Sequence, residues 1–405
     1  MAKQMAILEG VRILEFGWAV AGPLTASWAG GYGAEVIKVE TRTRPDIIRS
    51  FTPFKNDKAD LNNSHFFARE NATKKSITLN LKHPQGREVA LGLVARCDVV
   101  LESYTSGAMA KLGLAYHDLV RVKPDLIMIS SCMYGQSGDL RSMPGYGMPL
   151  TALCGLTHLT GWPDRAPCGP YGAYTDYLVP RLNLLAIAAA LDHRRRTGRG
   201  VYMDAAQLEA GAQFVAPALL QAALTGEAPT RVGNQDPQAA PHGVYPCAGR
   251  DRWVAITVFS DEQWEGLVRA MGSPDWALDS DLAQAQGRLA RAEELDQRIA
   301  QWTRPQEARA VMELLQGMKV PAGVANDGRD LGRDPQIVFD GHYARREHPV
   351  MGQVDYAGHS LTFSAAPQRV ERSPCLGEHT REICLGLLGM DEEEYARLEQ
   401  AGALE

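Results

Sequence analysis

The sequence is poor in cysteine, short of long apolar runs and without an excess of positive charge, and each shortage closes off a class of protein. The seven cysteines (Cys97, Cys132, Cys154, Cys168, Cys247, Cys375 and Cys384) are scattered, odd in number and never form a C-x-x-C pair. In a chain of this length that argues against a disulfide framework or a zinc site, so no metal and a reduced, cytoplasmic setting are expected. The longest apolar run, LLAIAAAL at 184–191, is far too short to cross a bilayer. The opening MAKQMAILEG meets a lysine at once and has no apolar h-region, so no signal peptide and no membrane partner are expected. A formal net charge of −6 argues against a general nucleic-acid binder. The local cluster HRRRTGR at 193–199 still offers a grip for a phosphate.

What is present is length and apolar content. With 405 residues, 45% of them hydrophobic, the chain has material for two domains or one elaborated α/β domain. VRILEF (11–16) reads as a buried strand, AGPLTASWAGGYGA as a helix with Pro23 in its first turn, and EVIKVE (35–40) as a second strand. The alternation continues through KKSITLNL, the helix HPQGREVALGLVARC opened by Pro84, DVVLESY, the helix HDLVRVKP and the strand DLIMISSCMYG. Strands alternating with helices predict a mostly parallel sheet covered on both faces, with ligands at the strand ends. Beyond residue 150 a long helical pattern runs from 176 to 196. The stretch 226–245 is rich in Pro, Gly, Asn and Gln, and RWVAITVFSDEQWEGLVRAMG restarts a strand and a helix. The expected division is a large α/β domain from 1–225 and 331–405, with a smaller α+β domain at 226–330.

The first β-α-β unit has the order of a dinucleotide-binding fingerprint, yet its turn reads Gly17-Trp18-Ala19-Val20-Ala21-Gly22-Pro23 and not G-x-G-x-x-G. Glu40 stands where an acid binds a ribose, and Arg42 and Arg44 follow it. Those arginines suit a phosphate at least as well as a free hydroxyl. An NAD(P) oxidoreductase is therefore one reading of this segment.

A second stretch, CGPYGAYTDYLVPRLN at 168–183, holds a single charge between Arg165 and Arg181, namely Asp176. Aromatics and glycines surround it. Either the carboxylate caps the helix that follows or it does chemistry in a site poor in water.

Five segments in order carry a resemblance: LEFGWAVAGPLTASWAGGYGAEVIKVE, NATKKSITLNLKHPQGREVALGLVARCDVVLESYTSGAMAKLGL, LIMISSCMYGQSG, YTDYLVPRLNLLAIAAALDHRRRTGRGVYMD and SPCLGEHTREI. Together, from about residue 7 to 385, they resemble the class III CoA-transferases, the formyl-CoA transferase and carnitine CoA-transferase family, which also contains α-methylacyl-CoA racemases. The resemblance implies a Rossmann-like large domain built from both chain ends, a small middle domain, and two subunits threaded through one another as an interlocked dimer. Related heteromers with one non-catalytic subunit make a hetero-oligomer an alternative to the homodimer. No cofactor is held permanently; coenzyme A thioesters and a carboxylic acid are the substrates.

Carried onto this chain, the family's nucleophilic aspartate falls on Asp176. CoA contacts fall on Lys38, on Arg42 and Arg44 after Glu40, and in the segment 102–113. There Ser103 replaces the usual Asn and Lys111 the usual Arg, and Val20 stands where the family has a glutamine. The loop expected to cover the site is VGNQDPQAAPHGVYP (232–246), with Gln235, His242 and Tyr245 as candidates to meet substrate. Arg165 and Arg181 are candidates to bind a second carboxylate, as in succinyl-CoA. The racemases pair a His with the aspartate, and the aligned position here is Tyr146. A phenol is a poor base near neutral pH, so racemisation is the alternative to transfer.

Overall fold

A computed structural model describes residues 5–405. Six strands form one parallel sheet: β1 (Arg12–Phe16), β2 (Glu35–Glu40), β3 (Lys75–Thr78), β4 (Val99–Glu102), β5 (Ile127–Cys132) and β6 (Tyr202–Ala206). Their spatial order is β3-β2-β1-β4-β5-β6, and each neighbouring pair is parallel. Cover on both faces leaves β4 and β5 buried along their whole length, with apolar Val99–Leu101 and Ile127–Ile129 at their starts. The helices packed between the strands are α1 (Ala21–Gly31), α2 (His65–Glu70), α3 (Pro84–Val94), α4 (Ala108–Lys111) and α5 (Tyr116–Val122). Pro84 opens α3, where its missing N–H costs nothing.

The strand order reverses at β1, whose neighbours are β2 and β4. Phe16 pairs in register with Glu102, so the loops after β1 and β4 leave the sheet side by side and in opposite senses. That divergence opens a crevice at the carboxyl ends of the strands. After β5 come α6 (Gly147–Leu153), α7 (Leu156–Leu159) and the long α8 (Tyr174–Thr197). Arg194, Arg195 and Arg196 lie in the last turn of α8, and Gly198 ends it at φ +71°, a cationic C-terminus closed by a left-handed glycine.

The chain parts into two compact units. The first holds the chain up to Thr157, Gly169–Glu227 and Gln336–Glu405; the second holds His158–Cys168 and Ala228–Pro335. In the first unit the C-terminal segment covers the sheet edge at β3. The Ser76 carbonyl accepts from His379 N–H (2.9 Å) and Thr78 Oγ1 donates to the Leu404 carbonyl (2.8 Å). Tyr395, Leu398, Ala403 and Leu404 join Leu14, Phe16 and Ile37 in one core, so the edge strand offers no free ladder. The second unit is built on a three-stranded antiparallel sheet, β7 (His242–Pro246), β8 (Trp253–Thr257) and β9 (Ala322–Val324). Its core gathers Val254, Ile256, Trp264, Leu295 and Val311.

Two sequence expectations need correction. The last third of the covering loop at 232–246 is strand, since β7 is His242–Pro246. Asp176 does not cap α8 either: Ala173 is the N-cap, and no side chain caps that end.

Candidate active site

At the carboxyl ends of β1, β4 and β5 lies a cleft of about 740 Å³. Its wall is the turn after β1. Ala19 adopts a left-handed φ of +61°, uncommon for a residue with a Cβ, and its N–H is held by Asp46 Oδ1 at 3.0 Å. Ser103, at the end of β4, accepts from Trp18 N–H (2.9 Å) and donates to the Trp18 carbonyl (3.3 Å), so it ties the two diverging loops together. The glycines of this turn serve packing. A Cβ on Gly17 would meet Glu15 Oε1 at 2.5 Å, and one on Gly22 would meet Ser103 Oγ at 2.7 Å.

Of the predicted contacts, Val20, Arg44, Ser103, Lys111, Tyr146 and Asp176 all line this one cleft. Arg44 lies over the Trp18 ring, 4.5 Å from its centroid. Arg42 is exposed and is not among the lining residues. Lys38 is a correction. Its ammonium is fully buried, 3.1 Å from Glu15 Oε1, 2.9 Å from Asp46 Oδ2 and donating to the Gly17 carbonyl at 2.7 Å. It has no surface to offer a phosphate and instead fastens the turn from below.

Four residues in the second unit were also candidates. Tyr245 is buried and its hydroxyl donates to Asp296 Oδ1 at 2.6 Å, so it is a core residue rather than a substrate contact. Arg165 is exposed; its carbonyl accepts from Arg231 at 2.7 and 3.0 Å, and its guanidinium lies 3.7 Å from Asp164. Gln235 is exposed, and His242 Nδ1 lies 2.5 Å from the Asn234 carbonyl. Among the cleft residues that sequence reasoning missed are Lys82, Arg141 and Gly147. With Arg44 and Lys111 the first two place four exposed cations there, a field suited to an anionic ligand. The position of Lys82 just after the β3 strand was the available signal.

Two carboxylates line the cleft, and their surroundings differ. Burial would raise Glu40, but Arg49 grips it at 2.8 and 2.7 Å and holds the carboxyl down to about 2. Asp176, the third residue of α8, has no ion pair among the described residues, and burial pushes it up to about 6. Its carboxylate fills the space beside Gly147: a Cβ there would lie 2.4 Å from Asp176 Oδ2. A perturbed acid that lines a cleft is a candidate functional group.

The model of CoA-transferase family III matches residues 8–380, and the chain belongs to that family: it is a class III CoA-transferase. It is 32% identical over 393 residues to succinyl-CoA–D-citramalate CoA-transferase of Chloroflexus aurantiacus, covering 97% of this chain and 96% of that one. It is 31% identical to the beta subunit of succinyl-CoA–L-malate CoA-transferase from the same organism, covering 96% and 95%. A crystal structure of a CAIB/BAIF family protein from Brucella suis superposes with a TM-score of 0.87 at 29% identity, covering 95% of this chain and all of that one.

Proposed function

We propose that the enzyme moves CoA from succinyl-CoA or another dicarboxylyl-CoA to a carboxylic acid, through covalent intermediates on Asp176. The carrying observation is the Asp176 carboxylate itself, lining the cleft with no ion-pair partner among the described residues and beside Gly147 at the start of α6. One carboxylate oxygen attacks the thioester carbonyl; a C–O bond forms, the C–S bond breaks and CoA leaves as thiolate. The mixed anhydride is at least as activated as the thioester it replaces. The thiolate then attacks the aspartyl carbonyl, giving aspartyl-CoA and releasing the donor acid. An acceptor carboxylate attacks aspartyl-CoA and expels thiolate, which takes the new acyl group and frees Asp176. Charge balances at each step, with one anion consumed and one released.

The cations Arg44, Lys82, Lys111 and Arg141 would hold the phosphates of CoA, with Val20, Ser103 and Tyr146 along the acyl path. The two named relatives act on succinate, citramalate and malate, all dicarboxylates, which supports a dicarboxylic donor. Racemisation would require a base opposite Asp176, and no histidine lines the cleft among the described residues.

The proposed assembly is an interlocked homodimer in the cytoplasm, each large domain formed from both chain ends and each small one, expected at 226–330, corresponding to the unit of His158–Cys168 and Ala228–Pro335. On Ala216–Thr225, in the first unit, no residue is buried and Leu224 is 85% exposed; a second copy would cover that apolar face. A hetero-oligomer with a related chain is the other arrangement, favoured by the relative named as a beta subunit. Exchange of CoA from succinyl-CoA into a panel of dicarboxylic and monocarboxylic acids tests the function. Transfer to at least one acid by wild type, and none by Asp176→Asn, is expected; full activity in the variant would overturn the proposal. Light scattering after size exclusion tests the assembly.

A further inference from the structure

One polar side chain of the cleft is buried and has nothing to bond to. Gln207 opens α9 (Gln207–Gln213), which follows β6 directly. It lines the cleft and is only 5% exposed, and its Oε1 is buried with no hydrogen-bond partner among the described residues. The polar groups around it are spent on one another. Leu208 N–H donates to the Met133 carbonyl at 3.0 Å, and Thr151 Oγ1 donates to the Gly147 carbonyl at 2.8 Å. Asn183 Nδ2 donates to Ser131 Oγ at 2.9 Å and to Thr25 Oγ1 at 3.2 Å. An acceptor shut away without a donor is costly, and a bound molecule that brings the donor removes that cost.

The place of Gln207 says which part of a substrate it meets. Gly211 lies one turn further along the same face of α9, and a Cβ there would stand 3.1 Å from Thr175 Cγ2 and 2.9 Å from Cys154 Sγ. That face is therefore turned to the junction of α6 and α8, where Asp176 follows Thr175. Arg44 and Lys82 line the cleft from the loops after β2 and β3. Four strand spacings separate β2 from β6, about 19 Å. With the CoA phosphates at the β2–β3 end, the reacting carbonyl and the acceptor acid lie at the end that holds Gln207.

We propose that the acceptor is a hydroxy acid and that Gln207 selects it: the hydroxyl donates to Gln207 Oε1 while the carboxylate reacts at Asp176. This rests on Asp176 being the acyl-accepting group. A thioester carbonyl and an ionised carboxylate only accept hydrogen bonds. An acid lacking the hydroxyl leaves Oε1 buried and unpaired, and a site built to bond a hydroxyl rejects such an analogue strongly.

The test is CoA transfer from succinyl-CoA to acids that differ by one hydroxyl: malate and isotope-labelled succinate, citramalate and methylsuccinate, lactate and propionate, each chiral acid as both enantiomers. In the pair containing the best acceptor, wild-type kcat/KM should favour the hydroxy acid by about 10- to 100-fold, and one enantiomer over the other. Gln207→Met, close in length but without the amide, should lose that preference through the hydroxy acid alone and keep the simple acid within about twofold. Gln207→Leu gives the same reading should the first variant fail to fold. No preference in the wild type, or one that survives in a folded variant, overturns the proposal. So does an equal loss on both members of the pair, which would make Gln207 a contact of the CoA donor. No transfer to any acid by the wild type would defeat the aspartyl reading instead. Calorimetric binding of the same pairs to CoA-loaded enzyme would then still test the hydroxyl contact, equal affinities within every pair overturning it.

Discussion

Two ends of secondary structure deliver a carboxylate to the same cleft and treat it in opposite ways. At the end of β2, Glu40 sits in a charge cluster: Arg49 grips both of its oxygens, and Lys38 lies below between Glu15 and Asp46. At the start of α8, Asp176 has no counter-ion among the described residues. Glu40 is held ionised so firmly that it has nothing left to offer a substrate. Asp176 is held at a cost and is available. Burial raises both, so it is the presence or absence of a guanidinium that separates a carboxyl held low from one pushed up.

Breaking this contrast has graded consequences. Asp176→Asn should abolish CoA transfer, by at least about 10³-fold in kcat, while leaving the circular dichroism unchanged. The same variant should be the more stable protein. The folded-state carboxyl titrates at about 6 against the ordinary 3.8. Its charged form therefore opposes folding, by an amount that grows as pH rises from about 4 to 6 and persists above. Removing it should gain about 1–2 kcal/mol at pH 8 and little at pH 4, read by denaturant melts. Arg49→Met strikes the other acid. It leaves Glu40 buried and unpaired, and should lower stability by about 3–5 kcal/mol at neutral pH. That loss should shrink as pH falls through 4.5 towards about 2, where Glu40 takes up its proton in either protein. Gly147→Ala places a methyl where the Asp176 carboxylate lies and should cost about 10²-fold in kcat with a normal fold. Smallest is Lys111→Ala, which should raise KM for acyl-CoA about five- to tenfold, leave kcat unchanged and weaken the salt dependence of KM.

The sheet was legible because its strands are near-continuous apolar runs punctuated by Pro and Gly, the pattern that burial on both faces demands. Their parallel pairing followed from the alternation with helices. Asp176 stood out because a lone charge in an apolar, aromatic stretch is rare. What the residues did not disclose was set by contacts distant in sequence. Lys38 reads as a cation at a strand end, but whether it faces ligand or core depends on Glu15, 23 residues earlier, and on Asp46. Tyr245 resembled a loop aromatic until β7 placed it against Asp296, 51 residues on. His158–Cys168 groups with the second unit although its neighbours in sequence do not.

Covalent trapping on the aspartate tests the central claim most directly. The enzyme would be incubated with succinyl-CoA, quenched with hydroxylamine or borohydride, and its peptides mapped by mass. The account predicts hydroxamate or reduction at Asp176 alone, dependent on the thioester and absent from Asp176→Asn. An unmodified Asp176 in enzyme that turns over, with exchange of the proton α to the thioester carbonyl, would contradict it.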